Sequence, residues 1–221
     1  MFKISLRMRT PICFTERPTL DGIVSSCWMK ENRPDLMTTQ RLSIPQKELI
    51  DFRGLLPMAY EDGNSWYFLA SSMCYGKMIS THSWWRKSWD SQYDYLSDFK
   101  GKRRKVAVGE GEFKSYMVPM SIFSIPLIWF YVECTEEQSQ EIKRLIEGNI
   151  IGIGKKVGQG YGWFNPPLII EEVTDIDIKK MRPIPMVPGE VGNYHFCSFR
   201  PPYWHPSNMD LCSVPNEEHL K

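Results

Sequence analysis

The chain has 221 residues, a formal net charge of +1 and 24% charged residues. That length suffices for one hydrophobic core without staples, and near neutrality excludes capture of a polyanion by the field of the whole molecule, so such contact must rest on local clusters. Cys13, Cys27, Cys74, Cys134, Cys197 and Cys212 form no C-x-x-C pair and no histidine knuckle, which argues against a zinc ribbon or thiol-redox motif. Reduced, mostly buried thiols are expected, with no metal and no cofactor.

MFKISLRMRT puts Phe2, Ile4, Leu6 and Met8 on one face and Lys3, Ser5, Arg7 and Arg9 on the other, which predicts a half-buried strand. The same alternation leaves no uninterrupted apolar region of a secretory signal, so a cytoplasmic protein is expected. After TPICFTERP, the residues Leu20, Ile23, Val24, Cys27 and Trp28 share one helical face, with Thr19 as N-cap. In the centre, PQKELIDFRGLLP reads as a short helix, SWYFLASSMCY and KMISTHSWW as strands, and SDFKGKRRKVAVGEGEFKSYMVPM as a charged insertion or hairpin.

The apolar run from Met117 to Val132 is broken by Pro119 and Pro126 and falls short of the ~20 residues of a membrane-spanning helix. No membrane contact is expected. Within it, PLIWFYVEC predicts a central strand buried on both faces. A helix follows: Thr135 and Gln138 have capping-box spacing, Glu136 and Glu137 occupy the first turn, Ile142, Leu145 and Ile146 form the apolar face, and Gly148 can end it. GWFNPPLIIEEV predicts a last strand. From Pro183 onward prolines recur without periodicity, which predicts extended segments lying over the core.

Between the second helix and the last strand lies IIGIGKKVGQGYGW, with five glycines in the eleven residues Gly152 to Gly162 around Lys155 and Lys156. A dinucleotide fingerprint needs G-x-G-x-x-G after a strand and opening a helix; here both the spacing and the order differ. No Gly-Lys-Ser/Thr of a Walker loop follows. Two readings remain. One is a tight loop needing positive φ angles; the other is a surface whose bare N–H groups and lysines meet a sugar-phosphate chain.

In the middle of the chain, Trp84, Trp85 and Trp89 surround Arg86 and Lys87, and Lys100, Lys102, Arg103, Arg104 and Lys105 form a basic cluster. Aromatics interleaved with cations suit stacking on unpaired bases and phosphate neutralisation. The plainer alternatives are core packing for Trp84 or Trp85, and a solvated hairpin tip for the basic cluster. The pairs Glu171–Glu172 and Asp175–Asp177 read as a solvated edge that discourages edge-to-edge pairing.

The order strand, helix, strand-rich middle, strand, helix, strand resembles the split βαβ, or ferredoxin-like, plan, an α+β class. With IGIGKKVGQGYGWF from Ile151 and RPTLDGIV at Arg17 to Val24, the chain resembles the RAMP superfamily of CRISPR-associated RNA-binding proteins. The likeness is to the small subunits of type IV CRISPR-Cas complexes related to the fifth Cas family.

The resemblance implies a ferredoxin-like (RRM-like) domain over residues 1–173, an inserted basic β-hairpin thumb at about 82–116, and a proline-rich extension, 174–221, packed on the core or on a partner. It implies a non-catalytic subunit that grips the 5′ handle of the guide RNA (crRNA) and caps one end of a filament of backbone RAMP subunits. Further expected partners are the large or small subunit of the complex and target DNA. RNA contact falls on Gly152, Gly154, Lys155, Lys156, Gly158, Gln159, Gly160, Tyr161 and Trp163. Arg86, Lys87, Lys102, Arg103, Arg104 and Lys105 would guide the spacer end or target DNA.

Some relatives cleave guide precursors without metal, through a histidine near the glycine loop. Here that set would be His82, Lys114 and Tyr116, since His195, His205 and His219 fall in the tail. The reading favours no catalysis. Its alternatives are the metal-independent endoribonuclease and a protein-interaction module whose basic hairpin docks an acidic partner.

Overall fold

The computed structural model describes residues 1–37, 49–62, 65–87, 115–186 and 193–220. The amino-terminal alternation becomes strand β1 (Phe2–Met8), and the first apolar stripe becomes helix α1 (Leu20–Asn32). Thr19 caps α1, its hydroxyl accepting from the Gly22 N–H at 3.4 Å. Strands β2 (Tyr60–Glu61), β3 (Tyr67–Phe68), β4 (Cys74–Tyr75), β5 (Ile79–Lys87), β6 (Tyr116–Ser124) and β7 (Leu127–Val132) follow. Helix α2 (Glu136–Asn149) opens on the predicted capping box: the Gln138 N–H donates to the Thr135 hydroxyl at 3.2 Å, and the Thr135 N–H to Gln138 Oε1 at 2.9 Å. Strands β8 (Phe164–Glu172), β9 (Ile184–Pro185), β10 (Tyr194–Ser198) and β11 (Met209–Ser213) complete an α+β architecture.

The chain divides into two compact units, Met1–Ile79 with Ser124–Lys221, and Ser80–Phe123. The first contains an antiparallel four-stranded sheet in the order β4-β7-β1-β8. Strands β1 and β4 therefore run parallel across β7 with α1 between them in the chain, and β7 and β8 run parallel across β1 with α2 between them. Ile4 lies opposite Phe130 and Ile170, and Leu6 opposite Ile128. Ile4, Leu6, Ile128 and Phe130, with Val24 and Cys27 of α1 and Ile142, Leu145 and Ile146 of α2, form the buried layer between sheet and helices, and Ile170 is half-buried beside them.

The other face of the sheet is covered as well. Ser5 pairs with Trp129 on one side and Ile169 on the other, and those large neighbours bury a residue that alternation alone assigns to solvent. Cys74, Met181 and Leu220 cluster there with Trp129, Tyr131 and Ile176. Residues after 174 thus pack across the β4–β7 side of this face.

That extension carries a three-stranded sheet of its own, β10-β11-β9, which anchors Cys212 and Phe199 against Tyr67. Arg182 fixes it. The guanidinium and the Asp21 carboxylate have no exposed side-chain surface, a placement that is strongly unfavourable unless every donor meets an acceptor. Arg182 donates to Asp21 Oδ2 at 3.3 Å, to the Ala70 and Phe199 carbonyls at 3.0 and 2.5 Å, and to the Phe68 carbonyl. The Tyr203 hydroxyl donates to the same Asp21 carboxylate at 2.9 Å.

Three sequence expectations change. Residues 49–57 of the anticipated short helix form turns, and the Asp51 carboxylate accepts from the Arg53 N–H at 3.0 Å, a local bond that competes with helix; its residues 45–48 lie outside the described residues. SWYFLASSMCY does not run as one strand, because Ala70 and Ser72 make only single bridges, to Val132 and Thr19, and the Ser71 hydroxyl, not a ladder carbonyl, accepts from the Tyr131 N–H at 2.8 Å. Strand β7 is fully buried on one face only, its Leu127, Trp129 and Tyr131 being half-buried.

In the second unit β5 pairs with β6. The Trp85 indole N–H donates to the Tyr116 hydroxyl at 3.1 Å, while Trp84 and Met117 are 61% and 60% exposed. All six cysteines are free thiols. Among the described residues no helix is long and apolar enough to cross a membrane.

Candidate functional site

The glycine loop is built by the chain doubling back after α2. Gly152 bridges Trp163; the Ile153 N–H donates to the Gly162 carbonyl at 2.9 Å and the Phe164 N–H to the Ile151 carbonyl at 3.2 Å. Lys156 adopts a left-handed conformation (φ 63°), a short 3₁₀ turn spans Val157–Gln159, and Gly160 reverses the chain at φ 92°.

Three of the glycines answer to steric demand directly. At Gly162 (φ +70°) any Cβ would collide with the Ile153 carbonyl, at Gly154 (φ +95°) it would sit 2.6 Å from the Cys13 carbonyl, and at Gly152 it would sit 2.7 Å from the Gly162 carbonyl. Gly158 and Gly160 have nothing within 4 Å of a built Cβ, so only the tip of the loop offers bare backbone to an approaching ligand.

Residues 9–13, beyond β1, clasp the loop. The Lys155 N–H donates to the Cys13 carbonyl at 2.6 Å, the Gly162 N–H to the Pro11 carbonyl at 2.8 Å, and the Arg9 N–H to the Trp163 carbonyl at 2.7 Å. Trp163 is a prop: its backbone N–H donates to the Thr10 hydroxyl and its indole N–H to the Val157 carbonyl, both at 2.9 Å. The Arg9 guanidinium lies 5.9 Å from its ring centroid. Lys155 and Gln159 are exposed, and Lys156 and Tyr161 half-exposed. Both lysines act to lower the Cys13 thiol, yet burial outweighs them and the thiol is raised. The exposed Arg7 and Arg9 add charge along the segment entering the loop.

Beside the loop lies a cleft of about 660 Å³. Thr19, Gly22 and Ile23 from the start of α1 form one wall, Gly152 and Gly154 a second, and Tyr203 of the extension a third. Arg17, at its edge, lies 4.4 Å over the Tyr75 ring, donates to the Tyr75 hydroxyl at 2.8 Å and pairs with Glu217. The segments Arg17–Val24 and Ile151–Phe164, far apart in the chain, thus meet at one concave surface. Its lining is largely apolar, with Arg17 paired to Glu217 at the edge, and the lysines and open glycines of the loop, Lys155 to Gly160, follow Gly154 in the chain without lining it.

The remaining predicted residues belong to the second unit or lie outside the described residues. His82 and Arg86 are exposed on β5 and share a face with Trp84 by alternation; Lys87 ends β5 and Tyr116 begins β6. All four belong to the second unit, not to the unit of the glycine loop. Trp89, Lys100, Lys102, Arg103, Arg104, Lys105 and Lys114 lie outside the described residues. Among the described residues no group of three or more His, Cys, Asp or Glu side chains is placed to hold a metal ion.

Sequence reasoning missed the third wall of the cleft. Tyr203 sits in the aperiodic FRPPYWHP, and Asp21 lies in the first turn of α1, where a carboxylate carries no local sign that it will be buried. No family model matches the chain, and no curated protein sequence matches it.

Proposed function

We propose that the chain is a RAMP-type, ferredoxin-like guide-RNA-binding subunit of a type IV CRISPR-Cas ribonucleoprotein, acting in the cytoplasm and holding the crRNA 5′ handle at the glycine loop without catalysing a step. One observation carries the reading: the two segments on which the family resemblance rests, Arg17–Val24 and the loop from Ile151, line a single cleft, and Lys155 and Lys156 follow its lining residue Gly154 in the chain. The strand order β4-β7-β1-β8, with a helix inside each split βαβ, supports the ferredoxin-like assignment. Trp129 and Tyr131 lie beneath the extension, which favours the loop edge over base stacking on that part of the sheet.

In this reading Lys155, Lys156 and Arg9 neutralise handle phosphates, the open backbone at Gly158 and Gly160 admits the sugar-phosphate chain, and Gln159 and Tyr161 contact bases or sugar. Arg86, Lys87 and the basic stretch Lys102 to Lys105 guide the spacer end or target DNA, and backbone and large or small subunits complete the particle.

The test is anisotropy of a labelled single-stranded repeat RNA across a salt series, for wild type beside Lys155→Ala/Lys156→Ala, with gels of the same RNA. Intact RNA is expected to bind with a log–log salt slope of about −0.7 per phosphate contacted, and the double variant to bind more weakly with a shallower slope. Binding unchanged in the variant would leave the loop as a turn only. Cutting of the RNA that His82→Ala abolishes would assign the chain to the nuclease branch instead.

A further inference from the structure

A groove of about 520 Å³ runs between the second half of α1, the turn at residues 54–57 and the first half of α2. Its floor is apolar: Leu56 and Leu145 are buried, Trp28 is half-buried with its ring edge-on to Phe52 at 5.9 Å, and Leu55 stands 44% exposed at the lip. Its rim is acidic, with Glu31, Glu137 and Glu141 against Arg144, the single cation among the described lining residues.

Arg144 is already answered twice. It donates to both Glu31 oxygens at 3.0 Å and to both Glu141 oxygens at 2.7 Å, and these bonds hold both carboxyls below the ordinary glutamate range. Asn149 donates to Glu31 Oε1 at 2.7 Å and Lys30 to the Asn149 carbonyl at 3.1 Å, so the wall joining the two helices is fixed before anything binds. The rim remains net negative, which repels a phosphate backbone. An apolar floor under an anionic rim complements a cationic amphipathic chain.

We propose that this groove docks a basic, amphipathic segment of a protein partner. One apolar side chain of that segment packs on Leu55 and Trp28, and flanking Lys or Arg side chains meet Glu137 and Glu141. The inference rests on the groove alone and stands whether or not the glycine loop binds RNA.

The test uses the full chain and a fluorescein-labelled peptide of leucine and lysine at helical spacing, with a peptide of the same composition in scrambled order as control. Saturable binding is expected for the amphipathic peptide, at least about tenfold weaker for the scrambled one and for Leu55→Asp or Glu137→Lys, with shifted amide signals confined to residues 28–32, 54–57 and 137–145. Both substituted positions are at the surface, and equal thermal midpoints establish that the variants are folded. Equal binding of the two peptides, wild-type affinity in both variants, or the same amide shifts produced by single-stranded RNA would each overturn the proposal. Loss of RNA binding in Lys155→Ala/Lys156→Ala, with peptide binding intact, separates this groove from the loop.

Discussion

Gly162 and Gly158, four positions apart in one loop, predict opposite outcomes. Alanine at Gly162 forces a positive φ on a side-chain-bearing residue and drives its Cβ into the Ile153 carbonyl; a loss of about 2 to 4 kcal/mol in urea unfolding is expected. Alanine at Gly158 meets open space and should change stability by less than about 1 kcal/mol. The glycine density was visible in the sequence, and so was the need for unusual backbone. Which glycines answer to packing was not, because the colliding carbonyls come from residues 13, 153 and 162 and depend on how the loop folds back on itself and on the segment after β1.

Secondary-structure elements divide by the range of what defines them. The cap of α2 is local: Thr135 and Gln138 reach one another across three residues, which is why it was legible, and Thr135→Ala should lower stability by about 1 kcal/mol. The attachment of the extension is not local. Arg182 meets Asp21 across 161 residues, and no periodicity around either residue announces the pairing.

Arg182→Met leaves Asp21 short of its cationic partner in a fully buried position and should remove about 3 to 5 kcal/mol in urea unfolding. The double variant Arg182→Met/Asp21→Asn is expected to lose less than the sum of the two single variants; simple additivity would show that the pair is not energetically coupled. The small β9–β11 sheet escaped notice for the same reason. Its strands are short, and prolines interrupt the chain between them.

At the scale of the whole molecule, buried neutral groups set the alkaline limit. Burial raises the thiols of Cys27, Cys74 and Cys134 from the ordinary 9.0 to about 11, and raises the Tyr67 and Tyr203 hydroxyls from theirs. Each folded pKa lies above its unfolded value, so the contribution is complete below pH 9.0 and fades as pH rises towards about 11. Cys197, lowered by its hydrogen bond with Cys212, is the exception. The thermal midpoint should therefore be flat just below pH 9.0 and fall above it; a midpoint constant to pH 11 would contradict the burial of these groups.

The central position of β1 has a consequence for synthesis. Strand β1 leaves the ribosome long before its two neighbours β7 and β8, and the carboxylate at Asp21 waits for Arg182 and Tyr203. A nascent chain stalled before those residues emerge exposes both edges of an apolar strand and an unanswered acid at the start of α1. Such long-range closure makes folding slow and leaves the growing chain open to aggregation, so this protein should depend on chaperones that hold β1 until β7 and β8 have cleared the exit tunnel.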